Sequence, residues 1–266
     1  MIHSMSGRRA IVRFSDGRLQ EAEDEIVKEF PLTIYVNGEE FATMVCTPAQ
    51  LEEMVVGFLA SEGVILFKRD IKSLEIDESR GFAYVELTKQ IDTSPLAYSK
   101  RFIGSCCGKS RQFYFQHDVK TAKTSMADIH LTPSQCVELM KSMQAESVLF
   151  KGTGGVHNAA LCSAGEIIAV RTDIGRHNAL DKLYGYCLLN DIAIRSKILV
   201  FSGRISSEVL TKAAKIGVGI VLSKSAPTDL AIELAEDLNI TAVGFVRGSS
   251  FNVYSHPERI IEEKER

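Results

Sequence analysis

The segment KILVFSGRISSEVLTKAAKIGVGIVLSKSAPTDLAIELAEDLNITAVGFVR, residues 197–247, decides the fold. Short aliphatic runs at 197–201, 218–222 and 241–246 read as strands. The amphipathic stretches between them, 207–216 closed by Gly217 and 228–238 closed by Asn239, read as helices. A strand-helix-strand-helix-strand order implies parallel strands joined by right-handed crossovers, and ligands of such sheets bind beyond the carboxyl ends of the strands. Those ends carry Ser202-Gly203-Arg204, Ser223-Lys224-Ser225-Ala226-Pro227-Thr228 and Arg247-Gly248-Ser249-Ser250. All three loops are small, hydroxylic and cationic. The first two lead into helix N-termini, where free amides favour a phosphate.

Immediately upstream, the tripeptide His-Asn-Ala occurs twice beside glycine, in GGVHNA (154–159) and IGRHNALDK (174–182). The intervening residues predict a β-hairpin turning at Ala164-Gly165, followed by a helix that starts at His177 or Asn178. Arg176, Lys182, Arg204, Lys224 and Arg247, with Gly154, Gly155, Gly175, Gly203 and Gly248 allowing close backbone approach, form a candidate anion site. No single loop is a phosphate fingerprint, and Ser206 and Thr228 serve equally well as helix caps. Convergence on one sheet edge carries the expectation. His157 and His177 are candidate ligands, bases or hydrogen-bond donors. A helix opening His177-Asn178-Ala179 behind a hairpin is laid out like a zinc deaminase, but Ala179 stands where His-x-Glu needs its glutamate and the chain contains no Cys-x-x-Cys, so no zinc is expected.

The first hundred residues are strand-rich. Residues 10–14, 31–36 and 40–46 alternate as strands around Asp16-Gly17 and Asn37-Gly38 turns. Thr47-Pro48-Ala49-Gln50 predicts a capped helix carrying Leu51, Met54, Val55, Phe58 and Leu59 and ending near residues 61–63. Strands at 71–76 and 82–87 and a polar stretch at 88–100 follow. Thr132-Pro133-Ser134-Gln135 is a second capping box, for a helix whose apolar face carries Val137, Met140 and Met143. The expected class is α/β (α+β overall), with a β-rich domain over 1–104 and a second domain over 105–266.

A chain of 266 residues with 45% apolar residues, 24% charged residues and a formal charge of −3 lacks the basic field that holds proteins to nucleic acid or anionic membrane. Its longest apolar run, 216–222, is too short to span a bilayer. A cytoplasmic protein without nucleic-acid or membrane partners is expected. Of six cysteines, Cys46, Cys136, Cys162 and Cys187 sit among aliphatic neighbours as buried hydrophobes do. Cys106 and Cys107, within Gly104-Ser105-Cys106-Cys107-Gly108-Lys109-Ser110-Arg111, differ: Lys109 and Arg111 favour a nucleophilic thiolate. Adjacent Cα atoms about 3.8 Å apart disfavour a bridge between the two.

Taken together, Thr47-Pro48, Gly57-Phe58-Leu59 with Glu62-Gly63, Thr153-Gly154-Gly155-Val156-His157, the run 173–182, Ser202-Gly203-Arg204, Ser225-Ala226-Pro227-Thr228 and Gly244-Phe245-Val246-Arg247 resemble the FdhD family of formate dehydrogenase accessory sulfurtransferases. The resemblance implies a small N-terminal domain, a C-terminal cytidine-deaminase-like three-layer α/β domain with a mixed sheet, and a homodimer. It implies that persulfide sulfur is accepted from a cysteine desulfurase and passed to bound molybdenum bis(molybdopterin guanine dinucleotide), with GDP as a mimic, for formate dehydrogenase. The family's cofactor contact maps to Phe245, Val246, Arg247, Gly248, Ser249 and Ser250, beside Ser202, Ser225, Thr228 and Asn178 in the neighbouring motifs. Members carry Cys-Gly-x-Cys-Gly in the reactive loop; here Ser110 takes the second position. Cys107 is therefore the expected carrier and Cys106 an optional second thiol. The alternative is a cofactor-binding chaperone that transfers no sulfur.

Overall fold

Two Asx-Gly pairs set the N-terminal hairpins, because both residues of each pair adopt positive φ, 53° and 78° at Asp16-Gly17 and 50° and 83° at Asn37-Gly38. In this computed structural model, which describes residues 4–89, 101–103 and 124–262, the first pair joins β1 (Ser6–Ser15) to β2 (Arg18–Val27) in a separate two-stranded ribbon. The second joins β3 (Phe30–Val36) to β4 (Glu39–Cys46). With β5 (Ile71–Asp77), β6 (Phe82–Leu87) and β7 (Arg101–Ile103) these make a five-stranded sheet ordered β5-β6-β3-β4-β7. Leu32, Ile34 and Val36 alternate inward and bury against Met54, Val55 and Leu59 of helix α1 (Leu51–Ser61).

The second sheet takes the alternation of residues 197–247 as the sequence predicts. It comprises β8 (His157–Cys162), β9 (Ile167–Asp173), β10 (Ile198–Phe201), β11 (Ile220–Ser223), β12 (Thr241–Arg247) and β13 (Ser250–Val253), ordered β13-β12-β11-β10-β8-β9. The three central strands β10, β11 and β12 are parallel, and the β8–β9 hairpin and β13 add antiparallel edges. Leu161, Leu199, Phe201, Val221 and Ala242 face helices α4 (Arg176–Leu189), α5 (Ser207–Ile216) and α6 (Asp229–Asp237). Residues of opposite parity, such as Cys162, Val200, Leu222 and Val243, face α2 (Pro133–Glu146). A short helix α3 (Val148–Thr153) links α2 to β8. The class is α+β, with helices on both faces of a mixed sheet.

Two local expectations need correction. Thr132 caps α2 as predicted, with Gln135 reaching back to its amide, but Thr47 does not cap α1. Its hydroxyl is instead buried against Asp173, and α1 starts at Leu51 after a left-handed Gln50. On α2 the buried stripe is Cys136, Leu139, Met140 and Met143, while Val137 is only half-buried.

Helices α1 and α4 meet back to back through glycine. A Cβ on Gly57 would lie 1.7 Å from the Asp181 carbonyl oxygen, and one on Gly185 would lie 1.9 Å from that of Glu53. Both are backbone atoms that cannot swing aside, so the helices must separate to admit a methyl group. Gly57→Ala and Gly185→Ala are each expected to cost about 3 kcal/mol, the upper end for overpacking, in a denaturant titration. A loss under about 1 kcal/mol would show that the helices do not touch here.

Candidate functional site

Sheet register brings the sequence-selected residues to one end of the larger sheet. Phe201 pairs with Ala159 and with Ser223, and His157 pairs with Asp173. The tips of β10, β11 and β12, the start of β8 and the start of α4 therefore share an edge. Parallel crossovers place the strand-to-helix loops there, and hydrogen bonds fix them to one another. Ser202 N donates to the Asn158 carbonyl (3.0 Å), and Ser202 Oγ accepts from Asn158 N (2.9 Å). Ser225 Oγ donates to the Ser202 carbonyl (3.2 Å), and Ser223 Oγ to the Gly203 carbonyl (2.6 Å). Thr228 N donates to the Ile205 carbonyl at 2.9 Å, and the Thr228 side chain makes no capping bond to α6. Gly203 is closely packed: a Cβ there would lie 3.0 Å from the Phe201 ring and 3.5 Å from His157 Nδ1.

The β12 tip is the most strained part of this edge. Phe245 has φ 55°, a left-handed conformation that costs a residue with a side chain of this size, and the pairing of β12 with β13 shifts register between Gly244 and Arg247. The outcome is an exposed Phe245 ring with the Arg247 guanidinium 5.4 Å above it, while Val246 is buried. Arg247 Nε donates to the Lys224 carbonyl at 2.9 Å, and Lys224 Nζ lies 3.5 Å from Gln144 Oε1 of α2. Gly248 (φ 58°), Ser249 and Ser250 form the exposed turn into β13, with Ser250 Oγ donating to the Arg247 carbonyl. Arg204 is exposed on the adjacent loop. A flat apolar ring beside Arg204, Lys224 and Arg247 suits a ligand that combines a π face with phosphate charge.

Other sequence-selected residues have different work. Lys182 departs from the expected anion site. It is fully buried, with Nζ 2.7 Å from Asp173 Oδ2 and 2.6 Å from Thr47 Oγ1, and it faces the core because an unpaired carboxylate at Asp173 could not stay there. Asn178 is also buried, donating to Asp173 Oδ1 (2.9 Å) and the Val45 carbonyl (2.8 Å). Gly154 is the left-handed C-cap of α3, and Gly155 lies where a Cβ would be 2.9 Å from the Val27 side chain. Cys106, Cys107, Lys109 and Arg111 lie outside the described residues.

Glu208, on the first turn of α5, has no motif around it and was missed. Its Oε2 lies 3.1 Å from His177 Nε2, which is also 3.2 Å from Arg176 Nε. One nitrogen cannot serve both: a bare Nε2 accepts from Arg176, and a protonated Nε2 donates to Glu208. Burial holds the His177 pKa below its ordinary value, with Lys212 and Arg176 pushing the same way and Glu208 opposing. His157 is lowered by burial, then by Arg176 and His177. Folding thus favours neutral imidazoles. The stability they confer is fully present above the ordinary pKa of about 6.5 and is lost as pH falls through it toward the folded values.

Three outcomes follow from these contacts. The melting temperature should fall between pH 7 and pH 5 and fall less in His177→Gln, and an NMR titration of Glu208→Gln should place the His177 pKa lower still. Lys182→Met, which strands the Asp173 charge, should cost about 3–5 kcal/mol in a denaturant titration, with much of the loss recovered in Asp173→Asn/Lys182→Met.

Comparison with other proteins shows the family. The sequence profile of the FdhD/NarQ family matches residues 27–261. The chain is 62% identical over 266 residues, 99% of its length and 98% of the relative's, to a protein of Halalkalibacterium halodurans named sulfur carrier protein FdhD. A Bacillus subtilis protein of the same name is 62% identical over 254 residues, covering 96% of this chain and 97% of that one. Among solved structures, one described as a formate dehydrogenase accessory protein from Desulfotalea psychrophila superposes with a TM-score of 0.80 at 25% identity, covering 97% of this chain and 100% of that one. The chain belongs to the FdhD/NarQ family.

Proposed function

We propose that this protein is a cytoplasmic sulfur carrier that accepts sulfur from a cysteine desulfurase and delivers it to a molybdenum bis(molybdopterin guanine dinucleotide) substrate for formate dehydrogenase, acting as a pair of identical chains. The observation that carries the reading is the 62% identity, across 99% of the chain, to a sulfur carrier protein FdhD. The cationic sheet edge supports it from chemistry. A guanine dinucleotide offers a flat base and a pyrophosphate, and Phe245, Arg247 and Arg204 supply a ring face and charge-assisted donors for both.

The sulfur step needs one nucleophile. The Cys107 thiolate, favoured by Lys109 and Arg111, attacks the outer sulfur of the desulfurase persulfide. A new S–S bond forms on Cys107, the donor's S–S bond breaks, and the donor cysteine leaves as a thiolate, with no net oxidation. Cys106 is the spare thiol of the loop. Arg176 and Arg204 then hold the nucleotide end of the acceptor, so that the loaded cysteine need only move over a fixed target.

Incubation with a cysteine desulfurase and cysteine, followed by intact-mass measurement, should show one added sulfur that disappears in Cys107→Ala; sulfur retained by that variant rejects the assignment. Calorimetric titration with GDP should show binding that weakens roughly tenfold in Arg204→Ala and in Arg247→Ala, the scale of one charged hydrogen bond. No binding to the unmodified chain would overturn the nucleotide reading. Formate dehydrogenase activity restored in cells by Cys106→Ala/Cys107→Ala would make the protein a chaperone instead.

A further inference from the structure

The β1–β2 ribbon stands apart from both larger sheets, since no residue of either ten-residue strand is buried. Phe14 pairs with Leu19 and Val12 with Glu21, and side chains alternate between faces. Val12, Phe14 and Leu19 therefore share one face near the turn, and they are 64%, 70% and 72% exposed. The middle of the ribbon borders an open hollow of about 610 Å³ lined by Ala10, Ile11, Val12, Glu21, Ala22 and Glu23. Two strands that bury no side chain are marginal in water, and a contiguous apolar cluster at the free end of such a ribbon marks a contact surface.

The matching surface lies at the other end of the same ribbon. Helix α3 sits against the ribbon's base, where a Cβ on Gly152 would lie 2.8 Å from Glu25 Oε2. It presents Val148 and Phe150, 75% and 43% exposed, beside an exposed Lys151. Ten residues of strand span about 33 Å, so the tip of a ribbon is far from its own α3. The tip of a second copy, running antiparallel, is not. In that crossing the apolar tips would meet the apolar patches, and Glu21 of the tip half would approach Lys151 and Lys28 at the base. Each surface is used once per copy, so a two-fold pair closes without leaving either exposed.

We infer that the β1–β2 ribbon is an arm that grips a second copy of this chain, the Val12/Phe14/Leu19 cluster of each copy seating on the Val148/Phe150 patch of the other. The inference specifies the contact of the paired chains proposed above. It is tested on the full chain by light scattering after size exclusion, with circular dichroism as a check on folding. The unmodified chain should have twice the chain mass. Val12→Ser/Phe14→Ser/Leu19→Ser and, separately, Val148→Ser/Phe150→Ser should each halve it while leaving the helical signal intact. A monomeric unmodified chain overturns both the pairing and this contact. A dimer indifferent to either variant overturns this contact alone, and so does a loss of pairing in only one of them. A measurement without substitutions reads the same contact: on dilution, amide exchange should quicken in 6–27 and 148–153 and stay slow in the strands of the larger sheets. Exchange that quickens elsewhere and leaves these residues unchanged counts against it.

Discussion

One buried carboxylate organises this molecule. Asp173, the last residue of β9, accepts from Thr47 N and Thr47 Oγ1 (both 2.9 Å), Gly175 N (2.8 Å) and Asn178 Nδ2 (2.9 Å), and pairs with Lys182 at 2.7 Å. Water is excluded from this group, so every lone pair it leaves unmet would be costly. The donors come from the segment after β4, the turn before α4, and α4 itself. Satisfying one charge therefore fixes where the five-stranded sheet's exit strand runs and how the site's helix begins. A second buried pair, Asp181 with Lys212, to which Ser61 Oγ also donates at 2.6 Å, ties the end of α1 to α4 and α5 in the same manner.

The site inherits its order from this arrangement. With α4 anchored through Gly175 and Asn178, Arg176 and His177 are held at the sheet edge on the first turn. The charge there is divided by kind. The guanidinium groups supply the positive charge, while burial keeps both imidazoles toward the neutral form. The edge thus sets guanidinium groups beside imidazoles that remain able to accept as well as to donate. The left-handed Phe245 sets an aromatic surface beside that charge, where a relaxed strand would have turned the ring back toward the sheet.

Much of this was legible in the sequence where the signal is local and repeats. Gly217 closes α5, Thr132 caps α2 and Asn37-Gly38 turns β3 into β4, each by backbone chemistry contained within a few residues. That β10, β11 and β12 run parallel followed from alternation, whereas the place of the β8–β9 hairpin beside β10 and the edge strand β13 did not. What escaped depends on partners distant in the chain. Thr47 reads as a helix cap until Asp173 is brought beside it, and Lys182 reads as one more site cation until the same carboxylate claims it. Glu208 has no motif and gains meaning only from His177. Strand β2 was overlooked because Glu21, Glu23, Asp24 and Glu25 replace the apolar alternation that marks a half-buried strand. An unburied ribbon needs no such pattern.

The four aliphatic-flanked cysteines have a chemical role by their silence. Burial pushes the thiols of Cys46, Cys136, Cys162 and Cys187 up to about 12, which keeps them protonated at neutral pH. A sulfur carrier must not scatter sulfur over its own interior. Thiols that almost never ionise are poor acceptors, poor alkylation targets and poor exchange partners, so these four stand outside any sulfur chemistry of the folded chain.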